Sequence, residues 1–237
     1  MAEASSLPLE ARSITVRFGA VTAIDRVDIV LEGSAPVAIL GANGAGKSVL
    51  LRTLHGLIAP TGGSVRWGGS TRRPRDQAMV FQRPVLLRRS ALENVRYALA
   101  VNGVSGAPRE ARAREALARV GLGDFAGRAA RVLSGGEQQR LALARAWALS
   151  PRVLFMDEPT ASLDPAAAAE VERVIGEIRA AGTAIVLTTH HLGFARRVAS
   201  EIVFLHLGRL TERTPAREFF ATPRSLEAQS YLEGELP

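Results

Sequence analysis

The 237-residue sequence contains no cysteine and only one lysine. Without cysteine, neither a disulfide frame nor a thiolate metal site can form, and thiol redox chemistry is excluded. Aromatic residues make up 5% of the chain, too few for base-stacking platforms to lead the functional reading. No window approaches the ~20 apolar residues of a membrane span. The longest apolar stretches, such as VLFM and AIVL, are strand-length. The N-terminal MAEASSLPLEARS has neither the basic region nor the apolar run of a signal peptide. These absences lead to the expectation of a soluble, unexported protein.

What is present is arginine. Of 30 basic residues, 29 are arginine, and the net charge is +7. Such charge raises nucleic acid or an acidic membrane surface as partners. The arginines are spread along helical patterns beside Glu and Ala (REARAREALARV, ARRVASE) and form no basic run, so charge alone decides nothing. Hydrophobic residues at 47% and charged residues at 22% are ordinary for a globular protein, and the length suits one large domain or two small ones.

Short β-branched runs alternate with helical patterns. SITVRF (13–18), AIDRVDIVL (23–31) and PVAIL (36–40) read as strands, and SVLLRTLHGL as a helix. Residues 60–82 read as a turn followed by two strands. Residues 84–150 carry three helical patterns and no good strand, so they read as a helical insert in an α/β domain. VLFMD (153–157), AIVLTT (184–189) and IVFLHLG (202–208) resume the strands, with a helix opening at Pro165. Residues 209–237 read as a short C-terminal tail containing one or two helices. Parallel strands with crossover helices imply a sheet covered on both faces.

The lone lysine sits in GANGAGKS (41–48), where Gly41, Gly46, Lys47 and Ser48 satisfy G-x-x-x-x-G-K-[ST] between a strand and a helix. A loop of Gly41, Ala42, Asn43, Gly44, Ala45 and Gly46 can turn backbone N–H groups onto phosphate oxygens, aided by the helix N-terminus. The lysine ammonium is a compact point charge that can slip between phosphates, whereas the broad planar fork of arginine would not fit. Ser48 would give its hydroxyl to Mg²⁺. VLFMDEP ends in Asp157, suited to hold Mg²⁺ through water, and Glu158, suited to polarise an attacking water as general base.

LSGGEQQRLALARA (133–146) carries a family resemblance. By physics alone, Ser134, Gly135 and Gly136 make a polar helix start suited to an anion. With the loop and the acidic strand, residues 133–140 resemble the signature motif of ATP-binding cassette (ABC) transporter nucleotide-binding subunits, and the likeness covers nearly the whole chain. It implies a P-loop ATPase fold with a mostly parallel core sheet, an N-terminal antiparallel β subdomain and a helical subdomain. It further implies a head-to-tail dimer in which Ser134, Gly135, Gly136 and Gln138 of one copy face ATP on the other. Gln82 matches the family glutamine that touches Mg²⁺ and water, and His190 the histidine that contacts the γ-phosphate. Residues 162–164 match the loop crossing the dimer interface, and Phe18 the aromatic that stacks on adenine. Three positions depart from the family pattern: Val49 replaces a hydroxyl residue, Phe18 a tyrosine, and His191 an aspartate.

Such a subunit is expected to act with a transmembrane permease and, through it, a solute-binding protein, on the cytoplasmic face of the membrane and without nucleic acid. FQRPVLLRRSALENVRYALA, LHGL and EFFATPRSLEAQSYLEGEL look most like oxyanion importers, the tungstate type in particular; other importers, such as phosphate or amino-acid types, and exporters are the alternatives. A soluble ABC protein of DNA repair or translation generally has paired cassettes or long inserts, for which 237 residues leave no room. A nonhydrolysing nucleotide sensor is opposed by the presence of Glu158 and His190.

Overall fold

A computed structural model describes residues 7–71 and 75–234. Residues 1–6, which open the stretch read for a targeting signal, lie outside the described residues, as do 72–74 and the last three of the tail.

Side-chain alternation along the central strands builds two cores. In β3 (Val37–Leu40), Val37 and Ile39 enter one core while Ala38 and Leu40 enter the other. β6 (Val153–Asp157) divides in the same way, with Val153 and Phe155 opposite Leu154 and Met156. So does β8 (Glu201–His206), with Val203 and Leu205 opposite Ile202 and Phe204. Strands apolar on both faces must be covered on both. With β5 (Gln77–Val80), β7 (Ala184–Thr188) and β9 (Arg209–Pro215) they form a six-stranded sheet, ordered β5-β6-β7-β3-β8-β9. All neighbours run parallel except β9, which is antiparallel to β8.

One face is covered by a three-stranded antiparallel sheet, β2-β1-β4, and by the first helix. These are β1 (Leu9–Phe18), β2 (Val21–Leu31), β4 (Gly62–Trp67) and α1 (Lys47–His55). The helix buries Leu50, Leu51 and Leu54, each contributing roughly 1.5–3 kcal/mol by leaving water. The other face carries α2 (Ala91–Val101), α3 (Gly106–Arg119), α4 (Gly135–Trp147), α5 (Pro165–Ala180), α6 (Leu192–Val198), α7 (Ala216–Ala221) and α8 (Leu226–Glu233). The first three of these all fall between β5 and β6, within the segment 84–150 read as a helical insert.

Among the boundaries that differ from the sequence reading, two extend the sheets. β1 begins at Leu9 because Leu9 and Ala11 pair with Trp67 and Val65 of β4, a distant partnership invisible locally. Residues 209–215, read as part of the tail, close the main sheet as β9, where Arg213 forks onto Glu201 at 2.9 Å.

Candidate active site

Strand register gathers the site. The order β6-β7-β3 sets three carboxyl ends side by side, and Asp157 lies level with Thr188, which lies level with Ile39. The loop that follows β3 therefore opens directly over the end of β6. This is the crevice at which open α/β sheets place their ligands.

In the loop, Gly41 (φ +146°) has its back against β8, where a Cβ would stand 2.2 Å from the Leu205 carbonyl oxygen. Gly46 (φ +99°) caps α1, and a Cβ there would meet the Ala23 carbonyl oxygen at 2.5 Å. At both positions any side chain is excluded by sterics and by backbone conformation. Lys47 is 8% exposed, and its Nζ donates to the carbonyls of Gly41 (2.8 Å) and Ala42 (2.9 Å). An ammonium has three donors, so one remains for a phosphate oxygen. Burial pushes the Lys47 pKa below its ordinary value, while the carboxylates of Glu158 and Asp157 pull it back up. Asn43 and Gly44 are exposed at the tip, Ala45 is buried beneath it, and Ala42 and Val49 are half-buried. Val49 packs against the β1–β2 core, so the departure from a hydroxyl residue costs the fold nothing.

The acidic strand end meets this loop. Asp157, 1% exposed, accepts from the hydroxyls of Ser48 and Thr188 on Oδ1, both at 2.7 Å, and from Arg52 on Oδ2 at 3.0 Å. These charge-assisted bonds fix the carboxylate in one orientation. The donor set of a hydroxyl and a carboxylate meeting at the phosphate loop suits a hard divalent cation. Glu158 follows in left-handed backbone (φ 47°), a conformation a side chain tolerates only under constraint. The constraint is Thr188, whose carbonyl and hydroxyl both accept from the Glu158 N–H at 3.1 Å. Glu158 Oε2 lies 2.9 Å from His190 Nδ1 and accepts from the His190 N–H at 3.3 Å. Its Oε1 has no hydrogen-bond partner among the described residues and can face a water.

The remaining candidates stand apart from this cluster. Gln82 lies two residues beyond β5, exposed, and its side chain makes no hydrogen bond among the described residues. Phe18 ends β1 and is 54% exposed, so it is not a core residue. Ser134 caps α4 in a reciprocal box, accepting from Glu137 N at 3.3 Å and donating its own N–H to Glu137 at 2.7 Å. Gly135 is exposed, and Leu163 packs near it. Gly136 is buried because a Cβ would stand 2.7 Å from that of Ala167, so α4 and α5 touch there. Gln138 donates to the Leu133 carbonyl at 2.8 Å. His191 begins α6 without a side-chain cap.

Two residues were missed in the sequence. Thr188 links Asp157 to Glu158, and its only signal is its place at the end of a buried run. Arg52 could have been found: it is four residues after Ser48, on the same face of α1.

The strand–loop–helix cradle, its buried lysine and the acidic strand end define a phosphate-loop nucleoside triphosphatase. Residues 24–161 match the family model described as ABC transporter. The glutamine transport ATP-binding protein GlnQ of Escherichia coli is 36% identical, covering 95% of this chain and 98% of that protein. The tungstate uptake system ATP-binding protein TupC of Peptoclostridium acidaminophilum is 38% identical, covering 82% and 92%. Relatives of similar identity are named for iron, phosphate and methionine import. A dimeric ATP-binding cassette solved in a post-hydrolysis state with ADP and Pi superposes with a TM-score of 0.79 at 29% identity, covering 88% of this chain and 99% of that one. The chain belongs to the ABC transporter family and is one of its ATPase subunits.

Proposed function

We propose that this chain hydrolyses MgATP at the cluster around residues 41–48, Asp157 and Glu158, and that this powers solute import through a separate membrane permease. The observation that carries the reading is the Ser48–Asp157–Thr188–Glu158–His190 network, which ties the phosphate loop to a carboxylate with one oxygen open. The loop amides and Lys47 hold the triphosphate, and Glu158 takes the proton of the attacking water while His190 orients Glu158. Ser48 would hold Mg²⁺ directly and Asp157 through a water; when bound, the ion neutralises charge on the β- and γ-phosphates. Most of the catalysis is positioning and electrostatic stabilisation.

The second half of the site comes from another copy, with Ser134, Gly135, Gly136 and Gln138 approaching the γ-phosphate, while Phe18 of the loop's own copy stacks on adenine. The dimeric cassette bound to ADP and Pi supports this arrangement. Gln82 acts when the two copies close, as a ligand near Mg²⁺ and a relay to the permease. The permease docks on a groove of about 380 Å³ between the core and the helical segment, lined by Leu57, Phe81, Val85, Ala142 and Arg145. Arg145 is largely desolvated there, which lowers its pKa, and it donates to the Val85 carbonyl at 2.6 Å. No helix among the described residues is long and apolar enough to cross a membrane, so attachment to the inner face is through the permease.

The solute is an oxyanion of the tungstate type, delivered by a binding protein; the likeness to the tungstate uptake protein supports this. Glutamine is the competing solute, favoured by the likeness to the glutamine transport protein. Phosphate release by the purified chain, with and without Mg²⁺, tests the activity. Stabilisation of the cognate binding protein by tungstate but not by glutamine tests the solute, and the reverse pattern overturns it.

A further inference from the structure

The charges that meet at the carboxyl end of β6 cancel. Asp157 and Glu158 are the carboxylates, and Lys47 and Arg52 the cations. Lys47 gives two of its three donors to the carbonyls of Gly41 and Ala42 and acts on both carboxylates through its charge. Arg52 touches one of them directly, donating to Asp157 Oδ2 at 3.0 Å. With the hydroxyls of Ser48 and Thr188 on Oδ1 at 2.7 Å, both oxygens of Asp157 are taken from within the chain. The Arg52 guanidinium carbon lies 6.0 Å from the centre of the Phe81 ring, at the reach of a cation–π contact.

A strut between α1 and β6 does not by itself account for the arginine. Its Nε–H is buried without a hydrogen-bond partner, although the side chain is 40% exposed. A purely anchoring arginine would have that donor paired or in water. What Arg52 supplies is charge, set 3.0 Å from a carboxylate that would otherwise attract a dication. Without it, two carboxylates would face Lys47 alone. We propose that Arg52 is a positioning residue that keeps Asp157 from drawing a divalent cation until a triphosphate brings its own negative charge, so that metal and nucleotide enter together. The Ser48 hydroxyl, which gives its proton to Asp157, keeps its lone pairs for the cation throughout. The inference rests on residues 41–48 and Asp157 being the MgATP site.

The test is a titration of the full chain with Mn²⁺, read by loss of the free-ion signal in electron paramagnetic resonance. It is run without nucleotide and with a nonhydrolysable ATP analogue. Wild type should bind no Mn²⁺ at millimolar concentration without nucleotide, and should bind it with the analogue. Arg52→Gln should bring the nucleotide-free Kd for Mn²⁺ at least about tenfold below the wild-type limit. Arg52→Met, which keeps an apolar stem, should do the same and serves where the glutamine variant fails to fold. Arg52→Lys keeps the charge and should behave as wild type. Adding Asp157→Asn to Arg52→Gln should abolish the gain. Wild type that binds Mn²⁺ without nucleotide as tightly as Arg52→Gln would overturn the role. So would an equal gain in Arg52→Lys, or a gain that survives Asp157→Asn. Failure of wild type to bind Mn²⁺ with the analogue would instead overturn the MgATP reading itself.

Discussion

The two halves of the proposed ATP site are built on opposite plans. On the loop side Lys47 and Asp157 are 8% and 1% exposed, and hydrogen bonds of 2.7–3.0 Å tie α1, β6 and β7 together. On the helix-start side Ser134 and Gly135 are exposed, and among the described residues Ser134 bonds only within its own helix start, to Glu137 and Gln138. A half-site drawn from one chain can be buried, because Lys47 and Asp157 already have partners within it, while one Lys47 donor and Glu158 Oε1 stay open for the ligand. One that waits for a second molecule must stay accessible, and must keep its donors satisfied meanwhile.

The contrast can be broken from either side. The largest effect is expected from Glu158→Gln, which keeps the shape and removes the base. Phosphate release should fall by about 10²–10⁴-fold while nucleotide affinity, measured by titration, is retained. Thr188→Val deletes the hydroxyl that serves Asp157 and Glu158 at once. A lost buried bond to a charged group should cost about 1.5–3 kcal/mol in denaturant unfolding, and the Mg²⁺ needed for half-maximal turnover should rise about tenfold. Gly136→Ala forces a Cβ to 2.7 Å from Ala167. It should lower stability by roughly 1–3 kcal/mol without changing the affinity of a single chain for nucleotide. Ser134→Ala should cost about 0.5–2 kcal/mol through the lost cap. Its nucleotide affinity as a monomer should equal wild type, a difference readable by the same titration.

The same contrast explains what the sequence made legible. Features written in a few consecutive residues were readable: the glycines and Lys47 of the loop, the Asp157–Glu158 pair after an apolar run, and the polar helix start of Ser134, Gly135 and Gly136. Features made by pairing distant segments were not. Thr188 became visible only once β6 and β7 were placed in register, and β9 only once Glu201 met Arg213. Arg52 lies between these cases, since its four-residue spacing from Ser48 was on the page but its target, 105 residues away, was not. Gln82 was read as ending a strand, and the chain instead leaves β5 at Val80 and carries Gln82 into solvent.

The central claim is that a buried, self-sufficient half and an exposed, self-capped half make one site only between two copies. Light-scattering mass on Glu158→Gln, with and without MgATP, tests it most directly. The account predicts the 25.2 kDa monomer without nucleotide and twice that mass with MgATP, the doubling being lost when Ser134→Ala or Lys47→Arg is added. A Glu158→Gln chain saturated with MgATP that remains a monomer, at concentrations where wild type hydrolyses at full rate, would contradict it.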